Sequence, residues 1–125
     1  MTTNEVAQAT GATLRQLQWW DERGYIPVRI VGHRRDWDQR DVRIALILQR
    51  LEQRRGRNRN IAQPKSFIRA IQKLTDRQLE NRYILTNAHG TPVAITSTPE
   101  RAIQIAAKAK HPVFLIELPE WKRLS

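Results

Sequence analysis

The chain has no cysteine among its 125 residues. That absence excludes disulfides, zinc knuckles and thiolate metal sensing together. The three histidines, His33, His89 and His111, each adjoin a glycine or proline and lack metal-ligand spacing, so no metal or cofactor is expected. No apolar run approaches the ~20 residues that span a bilayer. The opening segment MTTNEVAQAT is polar rather than a charged-then-apolar leader. A cytoplasmic protein with no membrane partner is the expectation. Also missing are a phosphate-binding loop, a nucleophile elbow and a paired acid site. Asp36, Asp38 and Asp41 cluster in sequence, but Asp38 and Asp41 are accounted for as helix caps. The chain is too short for a large enzyme fold and is not expected to be an enzyme.

What the chain has in excess is positive charge. Lys and Arg number 22 against 12 Asp and Glu, a net charge of +10, which points to an anionic partner such as nucleic acid. A basic surface that serves only solubility is the alternative. Charge does not locate the partner's site, because 12 basic and 7 acidic residues fall in 1–60, and 10 and 5 in 61–125. With 40% hydrophobic residues, one modest core or two small ones can form.

The hydrophobic pattern places the elements. Thr2 and Glu5 have capping-box spacing, starting a helix that carries Val6 and Ala9 inward until Gly11 breaks it. Thr13 and Gln16 repeat the box. Leu14, Leu17 and Trp20 then step along the inner face of a second helix that ends at Gly24, leaving Arg15, Gln18 and Trp19 outside. Tyr25 to Trp37 reads as two short strands joined by a mobile loop at Gly32. Asp38 and Asp41 open a third helix to about Arg55, with Ile44, Ile47, Leu48 and Leu51 at i, i+3, i+4, i+7. Arg50, Arg54, Arg55, Arg57 and Arg59 make RRGRNRN a charged connector that either touches phosphate or is merely solvated.

After Pro64, the residues Phe67, Ile68, Ile71 and Leu74 predict one helix to about Leu79. A hairpin follows, from Tyr83–Leu85 and Pro92–Ile95 around Asn87-Ala88-His89-Gly90. Thr98-Pro99-Glu100 starts a helix with a hydroxyl cap, expected to lay Ile103, Ala106, Ala107 and Lys110 over a sheet while Arg101 and Lys108 point away. The final strand, VFLIEL, is apolar on both faces. Such a strand is normally covered twice, so its second face is expected to meet the N-terminal half or, preferably, another subunit.

At TGATLRQLQWWDERGYIP the chain resembles the MerR family of winged-helix transcription regulators, whose reading segment runs T-G-V-S-x-R-T-L-R-Y-Y-E-x-x-G-L-L-P. Thr10, Gly11, Thr13 for serine, Arg15, Leu17, the aromatic pair Trp19-Trp20, Asp21 for the acid, Gly24 and Pro27 match without a gap. Gly32-His33-Arg34-Arg35-Asp36-Trp37 with Asp41-Val42 is similar to the family's G-Y-R-x-Y…D-V, with one residue more. The resemblance covers roughly the first 55 residues. Gln18 departs from it, standing where a second arginine is common. The long dimerisation helix of many members is also absent, and the tail instead looks like a ββαβ module.

With the ββαβ module read from the pattern over 80–125, the chain is expected to be α+β; the resemblance implies a winged helix-turn-helix, which with its supporting helices spans 1–79. It implies a sequence-specific regulator that binds double-stranded DNA, with helix 13–23 in the major groove and wing 28–37 on the flanking backbone. Arg15 would read a base edge, with guanine's O6/N7 pair suiting its fork, and Gln18 could pair with adenine. Thr13, with Gln16 in the first turn, would seat a phosphate at the helix start. Trp19 would touch the backbone, and His33, Arg34 and Arg35 would follow the wing into or along the minor groove. Arg54 and Arg55 complete the expected DNA contacts. For Trp19, Trp20 and Trp37, core packing is the rival assignment. The tail is expected to make a homodimer, or to take a small-molecule or protein effector. Rival functions are an excisionase-like architectural factor and a protein-binding adaptor.

Overall fold

A computed structural model describes residues 1–57, 65–87 and 91–120, with the side chains of 54–57, 65 and 66 left aside. It is a mixed α and β chain with two small sheets. The chain divides into two compact units over its described residues, 1–49 and 50–120.

The first unit begins with α1 (Thr3–Thr10) and α2 (Leu14–Glu22). Each residue of the turn between them has a separate physical task. Thr10 is buried, and its hydroxyl donates to the Val6 carbonyl at 2.8 Å while accepting from the Ala12 N–H at 3.2 Å. Thr10, one turn beyond Val6, thus takes the inward place expected of Ala9, which is exposed. Gly11 adopts φ 78°, and its N–H closes α1 on the Ala7 carbonyl. Ala12 is small and buried, and Thr13 caps α2. A methyl on Gly11 would sit 3.6 Å from the Gln49 side-chain amide, an ordinary contact, so strain rather than a clash is what alanine would introduce. Gly11→Ala is expected to cost about 1–2 kcal/mol of unfolding free energy in urea titrations.

Helix α2 ends in a Schellman motif, with the Tyr25 N–H reaching the Trp20 carbonyl and the Gly24 N–H the Asp21 carbonyl. Gly24 takes φ 72° there. Leu17 and Trp20 are buried as expected, whereas Leu14 is 51% exposed. Leu14 is the first residue of the helix, and the apolar stripe is covered only from Leu17 onward. Strands β1 (Arg29–Val31) and β2 (Arg34–Asp36) pair antiparallel, Ile30 opposite Arg35. They are joined by a tight turn of Gly32 (φ 65°) and His33, not by a mobile loop. Trp37 is buried behind the hairpin and donates its indole N–H to the Thr3 hydroxyl at 3.0 Å.

Helix α3 (Gln39–Arg57) is opened by a reciprocal pair. The Asp41 N–H donates to the Asp38 carboxylate at 2.8 Å, and the Asp38 N–H to that of Asp41 at 3.1 Å. Residues 43–49 are buried on every side of the helix, including Arg43 and Gln49. Burial lowers Arg43 to about 10, which still leaves it charged at neutral pH. Burial also raises Asp41 from 3.8 to about 6, with the neighbouring Asp38 carboxylate pushing the same way and its N–H pulling back. A carboxyl raised on folding binds protons better when folded, so its contribution is present below about pH 4 and lost as pH rises through about 6. Asp41→Asn keeps an acceptor for Asp38 and is expected to flatten this fall in urea midpoints measured from about pH 4 to about pH 7.

The second unit holds α4 (Lys65–Gln72) and α5 (Asp76–Leu79) where one helix was expected. Thr75 makes the break: its hydroxyl and the Gln78 side chain form a new capping box, a stronger local signal than the continuing apolar period. Phe67, Ile68, Ile71 and Leu79 are buried. Then come β3 (Tyr83–Thr86), β4 (Pro92–Thr96), α6 (Pro99–Lys108) and β5 (Phe114–Glu117). The sheet order is β4-β3-β5, antiparallel throughout, with Ile84 opposite Ile95 and Ile116.

Helix α6 turns a different face to the sheet from the one expected. Ala102 packs on Tyr83 and Leu85, with Ile105, Ala94, Val113 and Leu115 around them, while Ile103 is 69% exposed and Ala106, Ala107 and Lys110 lie outside. The stripe is displaced by one residue, which on a helix is a rotation of about 100°. Thr98 contributes no side-chain cap; Pro99, lacking an N–H, removes one donor that a cap would serve. The final strand needs no second subunit to cover its other face, since Ile84, Ile116 and Leu118 are already buried in the lone chain. Among the described residues no helix is long and apolar enough to cross a membrane.

Candidate nucleic-acid interface

Helix α2 is anchored at both ends and along its inner face, so its outer face is rigid. At the start the Thr13 hydroxyl accepts from the Gln16 N–H at 3.0 Å and the Gln16 side chain accepts from the Thr13 N–H at 3.0 Å. Inside lie Leu17 and Trp20. Outside, Arg15, Gln18, Trp19 and Glu22 follow i, i+3, i+4 and i+7, one continuous strip of exposed side chains.

The members of that strip are not equally free. Gln18 donates its amide to Glu22 at 3.0 Å. Trp19, 41% exposed, carries the Arg23 guanidinium 4.0 Å from its ring centroid and meets the Tyr25 ring edge-on at 6.2 Å. Such a cation on an indole face is attracted by the ring quadrupole and holds both groups in place. Arg15 has no hydrogen bond or ion pair among the described residues. It is the only cation of α2, and it is exposed.

The hairpin presents a second set. Arg35 gives its Nε–H to the Asp21 carboxylate, tying β2 to α2 across 14 residues of chain. Arg34 and His33 are exposed at the turn and without partners among the described residues. Arg29 stands 3.9 Å from Asp36, opposite it in the hairpin register. The expectation for Arg54 and Arg55 concerns side chains outside the described residues. Reasoning from sequence missed Arg23 and Arg29. The i+4 step from Trp19 would have found the first, and the strand register the second. No group of three or more His, Asp or Glu arranged to hold a metal occurs among the described residues.

A family model described as "MerR HTH family regulatory protein" matches residues 1–63, half of the chain. The chain belongs to the MerR family. MerR helix-turn-helix proteins are DNA-binding regulators rather than enzymes, and the matched segment contains α1, α2, the hairpin and α3. No curated protein and no solved structure matches the chain. The family's helix-turn-helix therefore coincides with the part of the chain where Arg15 and the hairpin arginines are displayed.

Proposed function

We propose that this MerR-family chain is a sequence-specific regulator of transcription that binds double-stranded DNA as a homodimer in the cytoplasm, without a cofactor. The single observation that carries this reading is Arg15, exposed and uncommitted on the outer face of a helix capped at both ends. Helix 13–23 enters the major groove, Arg15 reads a base edge and Gln18, shared with Glu22, reads beside it. Free N–H groups at the start of α2 receive a phosphate next to Thr13 and Gln16. The hairpin acts as wing 28–37, with Arg34 and His33 on the flanking backbone. Arg35, whose Nε belongs to Asp21, sets the wing's angle and keeps its Nη donors for DNA. Trp19 lies along the backbone under Arg23, and Arg54 and Arg55 add phosphate contacts.

In this reading residues 1–79 serve DNA and the ββαβ module over 80–125 serves dimerisation or an effector. The case for the dimer rests on the two half-sites that such readers use, not on an uncovered strand. A second reading has its own observation. Ile30 and Val31, 61% and 57% exposed on the hairpin, suit an architectural factor that presses apolar side chains into a minor groove and bends DNA.

Selection of bound sequences from a random duplex pool, with the mass of the complex measured in solution, decides between them. A two-fold symmetric site and a dimer mass are expected. Recovery of bent, AT-rich duplexes with no common base pattern would instead favour the architectural factor, and no binding even at low salt would overturn both.

A further inference from the structure

Beside α6 and the β4-β3-β5 sheet lies an open groove of about 530 Å³, built entirely within the second unit. Its floor is aliphatic: Val93 of β4, Ile105 of α6, and Val113 just before β5. Val93 is 52% exposed. The rim is cationic. Arg101, Gln104 and Lys108 stand at i, i+3 and i+7 along α6, and Lys110 and His111 follow from the segment beyond it. No carboxylate lines the groove among the described residues. Arg101, Lys108, Lys110 and His111 have no hydrogen bond or ion pair there either.

Unneutralised cations gathered around one concavity repel one another, and an anion seated between them relieves that repulsion. A phosphate of a DNA backbone would satisfy the rim but has no use for the floor. An aliphatic floor of this size instead matches the apolar body of a small molecule, since pockets of about 300–1,000 Å³ are typical for such ligands. We infer that this groove binds a small organic anion, with its hydrocarbon part against Val93, Ile105 and Val113 and its charged head among Arg101, Lys108, Lys110 and His111. Arg101 and Lys108, two helical turns apart on one face, bracket the head. The inference is independent of DNA binding and is tested on the protein alone.

The probe is octanoate, titrated into the full chain and followed by methyl and amide chemical shifts. Saturable shifts are expected at Val93, Ile105 and Val113, with octanol and inorganic phosphate each at least about tenfold weaker because each supplies only half of the match. Arg101→Ala with Lys108→Ala should weaken octanoate by about tenfold or more; both side chains are exposed, so the fold is kept. Val93→Asp, a carboxylate placed on the floor, should abolish it. Octanol binding as well as octanoate would overturn the inference, as would phosphate doing so. So would an unchanged double variant, or shifts at these residues produced by duplex DNA and not by octanoate.

Discussion

Replacing Arg15 by alanine is expected to lower affinity for the selected duplex by about 1–3 kcal/mol, roughly 5- to 150-fold, and to leave affinity for random duplex nearly unchanged. The asymmetry follows from what a base contact does. A guanidinium donating to a base edge is worth its energy only where the right base stands, whereas a phosphate contact is worth the same everywhere. Stability should not move, because Arg15 is exposed and makes no interaction among the described residues that the truncation would break. Arg34→Ala supplies the contrast, expected to weaken both duplexes alike and to reduce the salt slope by about one. Fluorescence anisotropy at two salt concentrations separates the patterns, and equal loss on both duplexes from Arg15→Ala would remove it from base reading.

The adjacent tryptophans should part company in the opposite sense. Trp20 is buried in the first unit, and Trp20→Ala is expected to cost about 3–5 kcal/mol. Since small domains hold only about 5–15 kcal/mol, that variant should be largely unfolded near physiological temperature and lose DNA binding with its fold. Trp19, one residue earlier, points outward with Arg23 on its face. Trp19→Ala gives up that contact and the Tyr25 edge, so a loss within about 1 kcal/mol is expected. DNA affinity should nevertheless fall while the midpoint of urea unfolding scarcely changes. Far-UV dichroism melts on the two variants, run beside anisotropy titrations, check both halves.

That contrast was partly legible in the sequence. The step Leu17 to Trp20 places one indole inward, and the capping boxes at Thr2, Thr13 and Asp38 start three helices at the right residues. These signals are local: a hydroxyl or carboxylate three residues from its partner needs nothing from the rest of the chain. Two further outcomes depend on distant packing. Ala9 and Leu14 lie outside although periodicity allows them inside, because an apolar stripe is buried only as far as something covers it. The face of α6 is off by one residue, since its alanines satisfy either orientation and only the sheet discriminates. The break at Thr75 was present in the sequence as a second threonine–glutamine box, outweighed by Leu74 and Leu79 continuing the apolar period.

For the interface, sequence points to Arg15, Trp19 and the hairpin basics, yet it does not separate free side chains from engaged ones. The Arg35–Asp21 pair joins two elements 14 residues apart, and only the fold brings them together. Its consequence is that one of the three turn-region candidates is partly occupied in orienting the others. Arg34 and His33 are thereby left as the hairpin groups most available to a phosphate.

Isotope-labelled protein titrated with its selected duplex tests the placement of α2 most directly, because the indole N–H groups of Trp19, Trp20 and Trp37 report from one exposed and two buried positions. The account predicts large shifts for the Arg15 side chain, the Trp19 indole and the amides of 14–22, smaller ones at 33–35, and little change at the Trp20 and Trp37 indoles. Perturbations confined to 83–117, with Arg15 and the Trp19 indole unmoved at saturation, would contradict it.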